Sequence, residues 1–393
     1  MKFLSLFSGI EAASVAWKPL GWECVGFSEI DPFPCAVLSH HYPDVPNLGD
    51  ITQISERDIK DLGKIDLIVF GFPCQNLSVA GNRKGLKGKS SGLFYEAIRI
   101  IEYARKHCGL RFALLENVPG SFSSNKGDDF REVVRELSAN RDINTPKNGW
   151  GSTGVALGEN GLVEWRLLDA QYFGLAQRRK RVFAIVDFGN WQDRPPILLE
   201  PKGVCGDTPP SREAGEKVAA IATQRLASGG EVTGTLQANC GQKQWLGNQE
   251  AFTGQFHVVH GTQDPITSET TANCLGRNQG QENVIAIAGN IIGRTEGNGG
   301  NGNGFDEEVC YTLTSADRHA VAANSIIRRL TPTECERLQG FPDTYTKIPY
   351  RKKDIDQCPD SPRYKALGNS MAVPVMAWIG KQIQKAVVYA SHH

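Results

Sequence analysis

Two side chains able to do chemistry stand at the ends of apolar runs. Cys74, in Gly71-Phe72-Pro73-Cys74-Gln75, follows Ile65-Asp66-Leu67-Ile68-Val69-Phe70, and Glu116 closes Phe112-Ala113-Leu114-Leu115. Apolar runs of this length between turn residues read as buried strands. In open α/β sheets, ligands and reactive groups gather beyond the carboxyl ends of such strands. A thiol there attacks an electrophile, provided something makes it thiolate or takes up the charge it creates. A carboxyl at the end of a neighbouring strand faces the same substrate. Each residue also has a plainer reading, as a buried strand-end cysteine or a structural strand-end glutamate. The stretch after Cys74 favours chemistry. Residues 75–92 have no apolar periodicity and contain Gly81, Gly85, Gly88 and Gly92 with Arg83, Lys84, Lys87 and Lys89. A glycine-punctuated basic loop of about 18 residues inside a compact domain is functional or disordered, and beside a thiol it reads as a lid closing on an anion.

A third candidate is the run Gln177-Arg178-Arg179-Lys180-Arg181, between strands expected at Trp165–Ala170 and Arg181–Val186. Alternate side chains of a strand share a face, so Gln177, Arg179 and Arg181 point one way and Arg178 and Lys180 the other. Three polar groups on one face suit an anionic or polar substrate; a solvated basic strand edge is the alternative.

These groups need a scaffold, and the start of the chain supplies its pattern. Lys2–Phe7 reads as a strand, Ser8-Gly9-Ile10-Glu11 as a turn, Ala12–Leu20 as a helix ended by Gly21, and Glu23–Glu29 as a second strand. Such a unit sets a helix N-terminus under a ligand and a carboxylate, here Glu29, on its ribose hydroxyls. There is no GxGxxG, and a purely structural βαβ unit fits the same pattern. Asp31-Pro32 opens a helix to about His41, and Gly49-Asp50-Ile51 is a turn whose aspartate can accept from an adenine amino group. Helices over 93–106 and Asp128–Asn140 flank the Glu116 strand. The expected fold is α/β, a doubly wound, mostly parallel Rossmann-like sheet with a second, smaller, irregular β-rich domain.

The bulk composition narrows the class. The 393 residues leave room for two domains, and 43 basic against 43 acidic residues give no net charge, so any basic surface is local. Ten scattered cysteines, none at zinc-knuckle spacing, fit a reduced, intracellular (cytoplasmic) protein without a metal. The apolar start is too short and is broken by Glu11, so it reads as a strand and not as a signal peptide; no stretch approaches a membrane span.

From about Asn190 the character changes. Residues 191–325 are rich in Gly, Asn, Gln and Thr and carry 9 Lys+Arg against 15 Asp+Glu, leaving −6 here and +6 elsewhere. A weak Thr-rich repeat, 232–240 against 266–274 with a possible third copy at 311–316, reads as short strands between Gly/Asn turns. Order returns at Arg329-Leu330-Thr331-Pro332-Thr333-Glu334, where Thr331 and Glu334 spell a capping box and Pro332 takes the first helical position. Gly340 stops that helix. Ala366-Leu367-Gly368-Asn369-Ser370 precedes a last helix, Val373–Tyr389, which Pro374 is expected to interrupt early. The division is a catalytic domain 1–190, a recognition domain 191–325, a hinge and helix segment 326–360, and a returning segment 361–393.

In this order the pieces resemble the cytosine-5 DNA methyltransferase family, of bacterial or phage type, over nearly the whole chain. The matching stretches are Phe7-Ser8-Gly9, Ser28-Glu29-Ile30-Asp31, Gly49-Asp50-Ile51, Gly71–Gln75, Glu116-Asn117-Val118, Gln177–Arg181, Arg329–Pro332, Glu334–Pro342 and Gly368-Asn369-Ser370. The family usually continues the first glycine turn with two more glycines; here stand Glu11-Ala12. The resemblance implies transfer of a methyl group from S-adenosylmethionine to carbon 5 of a flipped cytosine in double-stranded DNA, with S-adenosylhomocysteine as product. Cys74 is then the nucleophile, Glu116 holds the ring nitrogen and exocyclic amine, and Arg179 holds the base carbonyl with Arg181 close by. Phe7, Gly9, Ile10, Glu29, Ile30, Asp50, Ile51, Pro73, Asn369 and Ser370 hold the cofactor. Arg83, Lys84, Lys87 and Lys89 contact phosphates, and 191–325 reads base edges. A monomer is expected, with a cognate restriction endonuclease as a separate partner. Three rivals stand beside this reading. An RNA cytosine methyltransferase of the same fold would have a much shorter insert than 191–325. A catalytically silent DNA-binding relative would lack Cys74, Glu116 or Arg179. A nicotinamide oxidoreductase would carry the missing GxGxxG.

Overall fold

The structure is a computed structural model and describes residues 1–72, 92–192, 194–199, 258–259, 267–268, 284–287, 305–306, 320–323 and 326–392. One seven-stranded sheet organises residues 1–190. Its strands are β1 (Lys2–Leu6), β2 (Glu23–Ser28), β3 (Leu67–Phe70), β4 (Phe112–Asn117), β5 (Thr153–Gly158), β6 (Gly161–Asp169) and β7 (Lys180–Asp187), in the order β2-β1-β3-β4-β7-β6-β5. The β1–β2, β1–β3 and β3–β4 pairs are parallel. The β4–β7, β6–β7 and β5–β6 pairs are antiparallel. The sheet is therefore mixed, and the expectation of mostly parallel strands holds only for its first half. Connection length explains the change: parallel neighbours need a crossover of a dozen or more residues, whereas only Glu159 and Asn160 separate β5 from β6.

Because β2 and β3 lie on opposite sides of β1, the strand order reverses there. The loops leaving the carboxyl ends of β1 and β3 diverge and open a crevice, the usual ligand position in such sheets. Alternation along the central strands builds two cores. Leu67, Val69, Phe112 and Leu114 face one side with α1 (Ala12–Trp17), α2 (Pro32–His41) and α8 (Val373–His392). Ile68, Phe70, Ala113 and Leu115 face the other with α4 (Gly92–His107) and α5 (Asp128–Ser138). Strands buried on both faces read as continuous apolar runs, which is why β3 and β4 were legible. The last helix returns the chain to its start: Trp17 Nε1 donates to the Met376 carbonyl at 2.7 Å. Pro374 does not interrupt that helix. It sits in the first turn, where its missing N–H has no intrahelical partner to lose.

The described residues also form the helices α3 (Glu56–Asp61), α6 (Pro332–Gln339) and α7 (Asp360–Asn369). At α6 both reciprocal bonds of the Thr331/Glu334 capping box are present and Gly340 takes the left-handed C-cap conformation. In the 191–325 region, β8 (Val258–Val259) pairs with β9 (Thr267–Ser268), and β10 (Val284–Ile287), β11 (Phe305–Asp306), β12 (Ala320–Ala323) and β13 (Ile326–Arg329) form a sheet ordered β11-β10-β12-β13. β13 lies past the 325/326 boundary yet pairs with β12, so that boundary falls inside a sheet. Of the Thr-rich repeat, only Thr267–Ser268 falls within the described residues.

Candidate active site

Parallel pairing of Phe70 with Leu115 brings the exits of β3 and β4 side by side. A Cβ added at Gly71 would lie 3.2 Å from Glu116 Oε2 and 3.2 Å from the Met371 methyl, so glycine is what admits the carboxylate here. Pro73, Cys74 and the basic residues Arg83, Lys84, Lys87 and Lys89 lie outside the described residues.

Among the described residues, Glu116 forms an ion pair with Arg181 and also feels the charge of Arg179. Arg181 Nε lies 3.0 Å from Glu116 Oε1, both side chains about 15% exposed. Arg179 is engaged elsewhere. Its Nη2 donates to the carbonyls of Gly368 (3.2 Å) and Ser370 (2.6 Å). Burial first, and the Arg181 charge second, push the Arg179 pKa well below its ordinary value; a guanidinium nonetheless stays charged, so the shift marks what burying it costs. The expected alternation is present: Gln177 and Arg179 are buried and Arg181 half-buried, whereas Arg178 and Lys180 are exposed.

The other end of the crevice is built for a different group. Gly9 has φ +57° with no atom within 4 Å of an added Cβ, so the turn presents bare backbone to open space. Its N–H donates to Glu29 Oε2 at 2.8 Å, and Ile30 and Asp31 N–H both donate to Glu29 Oε1 at 2.8 Å. Three backbone donors fix that carboxylate in one orientation. Next to it Ile30 is 69% exposed, an apolar platform left uncovered. Asp50 caps the short turn after it, its Oδ1 accepting from Thr52 N and Oγ1 at 2.9 Å each.

One cavity of about 1400 Å³ joins these ends. Phe7, Gly9, Glu29, Ile30, Asp50, Ile51 and Asn369 line it together with Glu116, Arg179 and Arg181. Single-ligand pockets are commonly about 300–1,000 Å³, so there is room for two groups side by side. Two expected cofactor residues do not line it. Ile10 is fully buried in the core, and its carbonyl accepts from Tyr345 Oη. Ser370 is buried, and its carbonyl is held by Arg179. Their neighbours in sequence face the cavity, and alternation at a turn was the available signal.

Sequence reasoning missed the wall contributed by the C-terminal segment. Tyr350, Ser361, Tyr364 and Lys365 line the cavity, Tyr350 packs edge-on against Phe33, and Lys365 pairs with Asp31 at 2.5 Å. It also missed α6 as a spacer: Gln339 Nε2 donates to the Leu367 carbonyl at 2.7 Å and Gln177 Nε2 to the Leu338 carbonyl at 3.4 Å. Among the described residues no helix is long and apolar enough to cross a membrane, and no cluster of three or more metal-ligating side chains is present.

A large cleft at a sheet switch point, floored by a fixed carboxylate and ending at a Glu–Arg pair, is the ligand crevice of an open α/β sheet. Residues 1–385 match the family model described as C-5 cytosine-specific DNA methylase, and the chain belongs to that family. Curated relatives match over nearly the whole chain. A protein of Escherichia phage P1 named DNA N-6-adenine-methyltransferase is 33% identical over 98% of this chain; the chain spans 61% of that relative's length. The orphan methyltransferase M.SPRI of Bacillus phage SPR is 26% identical over 98% of this chain and 97% of its own. The type II methyltransferase M.MspI of Moraxella is 27% identical over 98% and 71%. The fold is that of solved structures of the S. pombe Dnmt2 methyltransferase (16% identity, TM-score 0.51, 98% of each chain) and of a prophage-encoded E. coli DNA modification methyltransferase (17%, 0.54, 99% of each).

Proposed function

We propose that this protein methylates carbon 5 of a cytosine flipped out of double-stranded DNA, and that Cys74, Glu116 and Arg181 do the work on the base. The observation that carries the reading is the Glu116–Arg181 pair, facing one cavity with the Glu29 and Gly9 cradle. When bound, S-adenosylmethionine supplies an electrophilic methyl group and leaves as S-adenosylhomocysteine. Glu29 suits its ribose hydroxyls, Ile30 its flat ring, Asp50 its adenine amine and Asn369 its amino-acid end.

Carbon 5 of cytosine is a poor nucleophile. The Cys74 thiolate forms a bond to carbon 6, and the electron pair of the 5,6 double bond becomes available at carbon 5. Glu116 holds the ring nitrogen and amine, sharing a proton so that charge drains from the ring. Arg181, not Arg179, is the group we assign to the base carbonyl, because it pairs with Glu116 at 3.0 Å and is the less buried of the two. Arg179 holds the 368–370 turn in place. After methylation a base takes the carbon 5 proton, the double bond re-forms and the Cys74 sulfur leaves.

None of this fits inside a stacked duplex, so the base is extruded at a cost of roughly a few kcal/mol. The cations of the 75–92 loop contact phosphates, which position the duplex, and residues 191–325 read base edges. The protein works as a monomer on DNA in a bacterial cytoplasm, with any cognate restriction endonuclease acting separately.

The name of the phage P1 relative raises a second reading, transfer to the exocyclic amine of adenine. That reaction needs no thiol adduct, and the Pro73-Cys74 element speaks for cytosine. Mass spectrometry of nucleosides from DNA treated with the enzyme decides: 5-methyldeoxycytidine is expected, and N6-methyldeoxyadenosine alone would overturn the proposal. Cys74→Ser should abolish transfer while DNA binding persists, and DNA carrying 5-fluorocytosine should be trapped covalently, since the last proton cannot leave.

A further inference from the structure

Beneath the turn that cradles the cofactor lies a carboxyl the reaction does not use. Glu11 is 1% exposed. Its backbone has φ +64°, a conformation glycine adopts freely and other residues rarely. Glu11 stands where the resembling family usually carries glycine. Its N–H closes the turn on the Ser8 carbonyl at 3.0 Å. Its Oε1 caps α1, accepting from Ser14 N at 3.0 Å and Ser14 Oγ at 3.1 Å. Its Oε2 is buried with no hydrogen-bond partner among the described residues.

The groups facing this carboxyl come from five places: Ser5 on β1, Ser14 on α1, Cys24 on β2, Tyr42 after α2 and Tyr345 after α6. Tyr345 Oη donates to the Ile10 carbonyl at 2.9 Å and meets Tyr42 Oη at 3.2 Å. His41 stacks on the Tyr345 ring, with Nε2 2.8 Å from the Tyr345 carbonyl. No cation stands among the described groups that shift this carboxyl. Burial pushes its pKa up to about 7 against the pull of its serine bonds, and its charge in turn helps raise Cys24 and Tyr345.

The turn transmits the state of Glu11 to the cofactor. Glu11 N–H binds Ser8, the next residue Gly9 binds Glu29, and Glu29 faces the ribose. An ionised Glu11 would leave Oε2 charged, buried and without a partner among the described residues, and a cofactor seated over the turn keeps bulk water from reaching it. We propose that Glu11 is a positioning residue for the cofactor turn that works in its uncharged form, so that cofactor binding is linked to proton uptake at this buried carboxyl. The inference rests on the reading of the cavity as the cofactor site.

Titration calorimetry with S-adenosylhomocysteine tests it, from pH 6.5 to 8.5 and in two buffers of different ionisation heat, on wild type, Glu11→Gln and Glu11→Gly. One linked proton changes affinity by at most about tenfold per pH unit. The wild-type Kd should rise about 25-fold more than that of Glu11→Gln over this range, with proton uptake at pH 8 that the variant lacks. The ligand's own amino group is the same in all three titrations, so its ionisation cancels in the comparison. Glu11→Gly removes both the strain and the titrating group and should be as flat as Glu11→Gln, which keeps the test valid if the amide misfolds. Parallel pH profiles and equal proton uptake in all three would overturn the role of Glu11. A wild type that binds no cofactor at any pH would overturn the cavity reading itself, and this inference with it.

Discussion

Where the chain leaves the catalytic sheet toward residue 200, a buried ionic knot holds it, and its removal has a calculable cost. Arg194 Nη1 lies 2.7 Å from Glu164 Oε1, and its Nε lies 2.7 Å from Asp187 Oδ2; all three side chains are at most 1% exposed. Glu164 Oε2 also accepts from the N–H groups of Ile197 and Leu198 at 2.9 Å each, pinning the exit strap. Arg194→Met keeps the apolar stem and removes the charge. Each charge-assisted bond contributes roughly 1.5–3 kcal/mol, and a buried carboxylate left without its cation carries a desolvation penalty. Asp187 keeps Arg111 at 3.2 Å and the Gly189 N–H at 3.0 Å, so the loss is not the worst case. We expect about 3–5 kcal/mol, the usual range for breaking a buried pair from one side. At roughly 2–4 °C per kcal/mol for a catalytic domain of this size, the melting temperature should fall by at least about 6 °C. Arg141→Met, at an exposed pair with Glu136, is the internal control and should cost less than about 1 kcal/mol. Calorimetric melting of the full chain measures both. An Arg194→Met protein melting within a degree of wild type would refute the reasoning, because two buried carboxylates would then tolerate the loss of their shared cation.

Three further outcomes follow from the site. Arg181→Lys should lower single-turnover methyl transfer by about a hundredfold or more, the usual loss for one preorganised donor, with S-adenosylhomocysteine affinity unchanged; unimpaired transfer would return the carbonyl to another donor. Gly71→Ala adds a methyl group 3.2 Å from Glu116 Oε2 and should reduce kcat at least about tenfold with a melting shift under about 2 °C; full activity would show that the carboxylate has room to move. Glu11 makes stability pH-dependent with a definite sign. Its folded pKa, about 7, lies above the ordinary 4.5, so its contribution is fully present below pH 4.5 and is lost as pH rises through 7. At 1.36 kcal/mol per unit, wild type should lose about 3 kcal/mol relative to Glu11→Gln between pH 4.5 and 8 in urea unfolding, and parallel curves would contradict this.

How much of this was legible in the chain depends on the range of the interaction that decides each feature. The Thr331/Glu334 capping box, the Glu29 carboxylate after its βαβ unit, the alternation of Gln177, Arg179 and Arg181 and the double-faced strands ending near Gly71 and Glu116 were all readable. Each is settled by residues within a few positions, through caps, strand period and turn chemistry. The antiparallel half of the sheet was not, because β4 and β7 are rows of apolar residues whose direction of pairing no periodicity encodes. The last helix reads as interrupted when proline is judged by type and not by its place in the first turn.

The sequence by itself determined which groups are present and which face of a strand each takes: a thiol and a carboxylate at neighbouring strand ends, two arginines on one face, an acid where a glycine is usual. Tertiary structure decided where those groups sit. The carbonyls of Gly368 and Ser370 reach Arg179 from about 190 positions away, whereas Arg181 pairs with Glu116 at the cavity wall. Glu11 is buried because Tyr345, more than 330 positions on, closes over the turn it caps. The charge state of a side chain depends on the water and dipoles around it, and those neighbours are fixed by long-range packing that local spacing does not record.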